Sequence, residues 1–384
     1  MLITNYLPAF SGHAIYLHKL IPLMQAEGYE VAVLTSKFER CSSMDCIDGV
    51  TVHRIPLDPK QHKSEMRFAL RIVRFLVSHR NDFDLLHVNG HMDHYGLLTL
   101  CCKVLRKKIL MQMVLMGSDD PESLKVQFRF MAARLRILRC MDRFLYISEP
   151  IGESCKIAGF PQSKLRFIPQ GVDTLRFHPV GREEKNNIRF SLGLEPDGKI
   201  VTFVGAIIHR KGVDILIDSW REVQRKCPEA ELILIGPCEF GREDANESSL
   251  NTYVENIKVQ IARHKLNVRM VGRTSNVECF LQASDVFVLP SRKEGFGNVI
   301  LEAMGCGIPI VVSFMDGVAL ESVIPGETGV IFNSGTELTE ALIDMLNNDE
   351  RRRTIGAHAR ADALRRFALD KIAQKYMDVY SELA

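Results

Sequence analysis

The chain has 384 residues, 46% of them hydrophobic and 25% charged, with a formal net charge of +2. That length exceeds one ordinary core and suits two domains of somewhat under two hundred residues each. No apolar run approaches the roughly 20 residues of a membrane span, and Met1-Leu2-Ile3-Thr4-Asn5 lacks the regions of a signal peptide. The composition is therefore that of a soluble globular protein. Ten cysteines show no zinc-like spacing, and without an export signal they are expected to be reduced thiols in a cytoplasmic protein.

Charge is unevenly spread. Met1 to His178 holds 24 Lys plus Arg against 17 Asp plus Glu, so about +7, which leaves about −5 for the remainder. Different partners for the two halves are expected. The densest basic stretch places Lys125, Arg129, Arg134, Arg136, Arg139 and Arg143 among Phe128, Phe130, Met131, Leu135, Ile137 and Leu138. A surface helix with a solvated arginine face is the plain reading, and an amphipathic helix on an anionic membrane the alternative. Nucleic acid is not expected, since no such motif accompanies the charge.

In the first half, strands are predicted at Leu2–Thr4, Val31–Thr35, Val50–Ile55, Leu85–Val88, Ile109–Leu115, Phe144–Ser148 and Leu165–Ile168. Tyr6 to Gly12 reads as a loop and Tyr16 to Glu27 as a helix, closed by Gly28. Ser64 to His79 is a second helix, with Phe68, Ile72, Phe75 and Leu76 as its apolar stripe. Such alternation implies a doubly wound parallel sheet. Asp82-Phe83-Asp84 precedes a strand and reads as a surface turn. His91, Asp93 and His94 read as a surface loop in preference to a metal site.

His178 to Lys199, with Pro179, Gly181, Gly193, Pro196 and Gly198, reads as a linker. A second alternating unit follows, with strands at Ile200–Val204, Glu231–Ile235 and Val268–Val271. Its helices are expected at Val213–Val223, Tyr253–His264 and Asn276–Ala283. The strand Asp285–Pro290 then runs into the glycine-rich turn Glu294-Gly295-Phe296-Gly297. A short helix from Asn298 ends at Gly305 and Gly307, and Ile308–Val312 restarts the sheet. The turn thus lies between the carboxyl end of a strand and the amino end of a helix, where free N–H groups and the helix dipole favour phosphate. Glu294 and Glu302 flank it. Carboxylates repel phosphate and accept from hydroxyls, so phosphate with hydroxyls on both sides suggests a nucleotide sugar.

Glu294-Gly295-Phe296-Gly297 with Glu302 resembles the Glu-x7-Glu motif of the retaining glycosyltransferases of family 4. Ile168-Pro169-Gln170-Gly171-Val172-Asp173 resembles their Pro-Asn-Gly-Val-Asp segment, with Gln170 for Asn. Val204-Gly205-Ala206-Ile207-Ile208-His209-Arg210-Lys211-Gly212 resembles their donor loop, and the tail Phe367–Leu383 their closing helix. The resemblance spans nearly the whole chain. It implies an α/β GT-B fold of two facing Rossmann-like domains with an interdomain cleft. The implied division is an acceptor-binding domain over 1–178, a nucleotide-sugar domain over 179–366, and a helix over 367–384 that crosses back to the first.

The resemblance also implies roles. Glu294 would accept from the donor sugar's hydroxyls, the N–H groups of Gly295, Phe296 and Gly297 would hold the distal phosphate, and Glu302 would bind the ribose. Lys211, helped by Arg210, would stabilise charge on the leaving diphosphate. Gly12 would approach the donor phosphate, with His13 beside it as a further catalytic candidate. Gly205, Gly272, Arg273 and Asn298 complete the donor side. Two positions depart from many relatives: Ala206 stands where they carry Arg, and Leu115-Met116-Gly117-Ser118-Asp119 lacks their His. Ser118 and Asp119 then become acceptor-side candidates. The activity expected is transfer from a nucleotide sugar to a glycan or lipid-linked acceptor, with retention of configuration and with neither cofactor nor metal, at the cytoplasmic membrane face if peripheral. A nucleotide-sugar-binding partner subunit and an epimerase on the same fold are the alternatives.

Overall fold

A computed structural model of the chain describes all residues except 9–11, 38–40, 58–63, 91–94, 118, 123–130, 242–246 and 316–317; for 64 and 131–134 only the backbone is described. Two compact units result, Met1–Gly171 with Leu369–Ala384, and Val172–Ala368.

Along the first unit run β1 (Leu2–Ile3), α1 (Gly12–Ala26), β2 (Ala32–Lys37), β3 (Met44–Ile47), β4 (Val50–Pro56), α2 (Ser64–Ser78) and β5 (Leu85–Asn89). After them come α3 (Tyr95–Val104), β6 (Lys108–Met113), α4 (Met131–Leu138), β7 (Arg143–Tyr146), α5 (Glu149–Ile157) and β8 (Leu165–Phe167). Among the described residues the strands form one sheet in the order β3-β4-β2-β1-β5-β6-β7-β8. All neighbours are parallel except β3 and β4, a hairpin pairing Ile47 with Val50. Its two-residue turn, Asp48-Gly49, has φ of 47° and 80°. Both positive values suit the Asp-Gly pair, whose turn twist matches that of the strands. The hairpin carried this signal in its sequence, although β3 was not among the predicted strands.

Helix α1 starts at Gly12, four residues before the expected Tyr16. Helix α2 buries Phe68, Ala69, Ile72 and Leu76, the stripe its period required apart from half-buried Phe75. The chain's last helix, Leu369–Ser381, returns to this unit. Its Leu369, Ile372, Ala373, Tyr376 and Tyr380 enter one core with Leu17, Leu20, Ile21 and Met24 of α1. Polar keys fix it as well: Gln112 Nε2 donates to the Tyr376 hydroxyl, and His87 Nδ1 lies 2.6 Å from the Tyr380 hydroxyl.

The second unit opens with α6 (Arg182–Ser191), inside the predicted linker. Arg189 is 4% exposed. Its guanidinium donates to the carbonyls of Ala283, Pro196 and Gly198 and pairs with Asp285 at 2.7 Å. Gly193, Pro196 and Gly198 therefore belong to a folded turn beneath that arginine, and the linker reading is corrected. Residues 172–178 also pack here: Arg360 donates to the carbonyls of Thr174, Phe177 and Gly305.

The unit continues as β9 (Lys199–Val204), α7 (Val213–Lys226), β10 (Ala230–Ile235), α8 (Glu247–Arg263), β11 (Val268–Gly272), α9 (Val277–Ala283) and β12 (Val286–Leu289). It closes with α10 (Asn298–Gly305), β13 (Ile310–Ser313), α11 (Ala319–Ser322), β14 (Gly329–Phe332), α12 (Gly335–Asn347) and α13 (Asp349–Asp362). Among the described residues the strand order is β11-β10-β9-β12-β13-β14, all parallel. Every residue of β12 is buried, the mark of a strand covered on both faces. All ten cysteines are free. Among the described residues no helix is long and apolar enough to cross a membrane.

Candidate active site

In the second unit the chain leaves β9 through α7 toward β10 on one side, and leaves β12 through α10 toward β13 on the other. Such divergence opens a crevice at the carboxyl ends of the two strands, where open α/β sheets bind ligands. The loops leading to α7 and α10 meet there. Arg292 N donates to Arg210 O (2.8 Å), Arg210 Nη1 to Lys293 O (2.6 Å) and Arg292 Nη1 to His209 O (2.7 Å). Gly212 sets how closely the loops approach: a Cβ on it would stand 1.9 Å from Pro290 O, and its φ is +67°. Only glycine meets both conditions.

This stitching brings Lys211, Arg210 and Glu294 together from 83 and 84 residues apart. Glu294 is 7% exposed. Its Oε1 accepts from Lys211 Nζ and from Ser291 Oγ at 2.6 Å, whereas Oε2 has Arg210 Nη1 at 3.4 Å. Burial pushes the Lys211 ammonium down from its ordinary pKa, and Glu294 opposes the shift. Ser291, 1% exposed, was missed as a contributor. So was a supporting layer in which Arg292 grips both oxygens of Asp214 (2.8 and 2.7 Å) and Tyr253 of α8 donates to Asp214 Oδ1 (2.8 Å). Partners 39 and 78 residues apart leave no local pattern by which to find them.

Three adjacent strands end on glycine. Gly205 N donates to Ile235 O (2.8 Å) and Gly236 N to Gly272 O (2.9 Å), while a Cβ on Gly236 would lie 2.2 Å from Gly205 O. The strand ends thus form a low shelf of backbone. Gly205 and Gly272 were expected on the donor side; Gly236 was not, although it too directly follows an apolar strand. Arg273 is exposed beyond Gly272.

Gly297, φ +73°, precedes α10 with no side chain of the described residues capping that helix. The N–H groups at Gly295, Phe296, Gly297 and Asn298 therefore sit at the positive end of a helix dipole. Phe296 contributes backbone alone, since its ring is 3% exposed and lies beside Phe367. Glu302, one turn further and half-buried, is among the carboxylates that raise the Arg176 pKa; the hydrogen bond from Arg176 to Glu278 is the main cause.

In the first unit the equivalent divergence lies between β1 and β5. Gly12, exposed with no atom of the described residues within 4 Å of a Cβ placed on it, starts α1. His13 next to it reaches Asn89, at the end of β5, through Nε2 at 3.2 Å. Its Nδ1 lies 3.4 Å from Gln170 Nε2. Burial lowers its pKa to about 4, partly offset by the Asn89 bond. Asp119, 3% exposed, uses Oδ2 to accept from the N–H groups of Val114 (2.9 Å) and Leu115 (3.0 Å), closing the turn after β6. Ser118 lies outside the described residues, as do His91, Asp93 and His94. Asp82 and Asp84 are exposed on their turn.

Two family descriptions cover most of the chain: residues 184–362 match Glycosyl transferases group 1, and 11–171 match Glycosyl transferase 4-like domain. The chain belongs to the group 1 glycosyltransferases. This glycosyltransferase is 27% identical over 389 residues to spore coat protein SA of Bacillus subtilis (strain 168), an alignment covering 98% of this chain and 96% of that one. It is 31% identical over 231 residues to a GDP-mannose-dependent monoacylated alpha-(1-6)-phosphatidylinositol monomannoside mannosyltransferase of Corynebacterium glutamicum, covering 58% of this chain and 57% of that protein. Anabaena HepE, solved in complex with UDP-glucose, shares its fold with a TM-score of 0.76 at 20% identity over 99% of each chain. Solved neighbours of this kind are GT-B glycosyltransferases, so the expected fold class of two Rossmann-like parallel-sheet domains stands. The partner-subunit and epimerase alternatives are not favoured.

Proposed function

We propose that this glycosyltransferase moves a sugar from a nucleotide-sugar donor to a carbohydrate or lipid-linked acceptor with retention of anomeric configuration. One observation carries the reading: Lys211 and Arg210 converge on Glu294 beside the uncapped start of α10. Breaking the bond from the sugar's C1 to the phosphate oxygen leaves negative charge on the diphosphate. Two cations and a helix N-terminus aimed at one place stabilise that charge in a preorganised way. In this reading the compensating charge comes from protein groups and not from a metal ion.

Glu294 serves two partners. Its Oε1 holds Lys211 and Ser291, and Oε2, with the longer Arg210 contact, turns to the sugar hydroxyls. The N–H groups of Gly295, Phe296 and Gly297 take the distal phosphate, Glu302 the ribose, and the shelf at Gly205, Gly236 and Gly272 the nucleoside. The acceptor oxygen forms its bond to C1 on the face the phosphate leaves, and its proton passes to the departing phosphate oxygen. One relative is named for GDP-mannose and one neighbour holds UDP-glucose, so the screen must span both nucleotides.

The test is release of nucleoside diphosphate from a panel of UDP- and GDP-sugars, with and without glycan and lipid acceptors. Lys211→Ala and Glu294→Ala should each lower turnover by about a hundredfold or more, with circular dichroism unchanged. Full turnover in both variants would sink the assignment.

The lipid-linked acceptor has an observation of its own. On α2 the exposed Met66, Leu70 and Val77 alternate with exposed Arg67, Arg71 and Arg74. On the neighbouring α3, Leu100 and Val104 are 61% and 74% exposed, with Lys103 between them. Apolar residues among cations suit an anionic membrane surface. Within the basic stretch for which a membrane surface was the alternative reading, Arg139 bonds the Ala158 carbonyl and Arg143 pairs with Glu382 at 3.2 Å. Residues 123–130 lie outside the described residues. Reversing Arg67, Arg71 and Arg74 to Glu should lower binding to phosphatidylserine-containing vesicles at least about tenfold. Unchanged binding would remove α2 from the surface.

A further inference from the structure

His13 is held by a chain of hydrogen bonds whose direction is set at one end by the backbone. Asn89 Nδ2 lies 3.5 Å from Leu2 O and 3.4 Å from His87 O. Carbonyl oxygens only accept, so the amide nitrogen must face them and Asn89 Oδ1 must face the imidazole. That oxygen also only accepts, so His13 Nε2 carries the proton. A neutral imidazole has one N–H, and Nδ1 is therefore a lone pair. It accepts from Gln170 Nε2. Gln170 ends the chain: the residue is 3% exposed and its Oε1 is buried with no hydrogen-bond partner among the described residues.

That open Oε1 is informative. Rotating the Gln170 amide by half a turn would present an acceptor to His13 and suit the opposite tautomer, with no bond lost at Oε1. Gln170 alone therefore does not select the tautomer; Asn89 does, through the ends of β1 and β5. Gln170 occupies the second nitrogen. Asparagine, which the family resemblance expects at this position, is one methylene shorter and would not reach from the same backbone.

We propose that Asn89 and Gln170 are positioning residues for His13, Asn89 selecting its neutral Nε2–H tautomer and Gln170 occupying Nδ1, which makes this histidine a fixed, uncharged group at the divergence point of the first unit's sheet and not an acid or base. The groups facing the ring agree. Tyr16 stacks on it at 6.0 Å, His87 stands two residues before Asn89 on the same strand, and no carboxylate is among its hydrogen-bond partners in the described residues. The role in transfer rests on the function proposed above; the tautomer lock does not.

The experiment is ¹⁵N NMR of the histidine side chains in the full-length protein, with His13 assigned by the signal lost in His13→Gln. From pH 6 to 8 the unaltered protein should show the Nε2–H form in at least about tenfold excess over Nδ1–H. Asn89→Leu should bring the two forms within about threefold or invert them. Gln170→Leu should keep the Nε2–H form while shifting the Nδ1 resonance. An Nδ1–H or doubly protonated ring at pH 7, or a tautomer ratio untouched by Asn89→Leu, would overturn the proposal. Donor turnover measured on the same samples separates the two claims. With the lock present, Asn89→Leu should lower kcat while donor KM stays within about threefold. A chain that turns over no donor but shows the lock defeats the transferase reading alone, and one that turns over donor with a free tautomer defeats the lock alone.

Discussion

The two sheets diverge in the same way, yet the sites at their divergence points are chemically opposite. Between β9 and β12 the second unit gathers Lys211, Arg210, Arg292, Glu294 and Asp214, tied by charge-assisted bonds. Between β1 and β5 the first unit sets a neutral imidazole between two amides. The topology supplies a crevice in both cases and decides nothing about its contents. The contents follow from the loops. In the second unit a glycine lets two loops touch backbone to backbone, so long cationic side chains are pinned with little freedom. In the first, the ends of the strands themselves orient an asparagine, and the orientation passes outward one hydrogen bond at a time. One site is built to hold charge, the other to hold shape.

The substitution that most directly breaks this contrast is Gly212→Ala. A methyl group there meets Pro290 O at 1.9 Å, and the backbone sits at φ +67°. The left-handed conformation alone costs an L-residue about 1–2 kcal/mol, and relieving the clash must part the two loops. Thermal unfolding should show the second unit destabilised by at least about 2 kcal/mol. Donor turnover should fall as far as in Lys211→Ala, because Lys211 and Glu294 separate. A variant with wild-type turnover would show that loop contact does not assemble the charged site.

The sequence carried the charged site better than the neutral one. Glu294, Gly295, Gly297 and Glu302 lie within nine residues of one another, and their placement follows from a strand, a turn and a helix. Lys211 was placed by its own loop. What the sequence did not carry was the pairing of the loops: Arg292 with Asp214 and Glu294 with Lys211 are contacts of tertiary packing. The same holds for Asn89 and Gln170, neither of which stands in a pattern that points to His13. Parallel strands were legible from their apolar runs. The helix at Arg182–Ser191 was not, because Arg189, its one buried side chain, reads as polar and because the turn beneath it is rich in Gly and Pro. Beta strand Met44–Ile47 failed for a related reason: as an exposed edge strand it has no apolar run, and only its Asp-Gly turn marks it.

The smallest effect expected from the contrast concerns acid. His13 has a pKa of about 4 in the folded chain against 6.5 in the unfolded one, with burial as the cause. The unfolded chain therefore binds a proton that the folded chain does not, throughout the window between those values. By linkage the contribution of His13 is fully present above pH 6.5, falls as pH drops toward 4, and is flat below that. Because the side chain is only half-buried, we discount the full shift to about 1–2 kcal/mol. His87, buried on the same sheet, is also lowered well below its ordinary pKa by burial and adds a loss of the same sign, so the wild-type curve alone does not isolate His13. The difference between wild type and His13→Gln does. Urea unfolding of the first unit at pH 7 and pH 4.5 should show the gap between the two proteins narrowing, or reversing, on acidification. A gap constant with pH would mean that His13 protonates as readily in the fold as outside it, and the neutral site would then be no different in kind from the charged one.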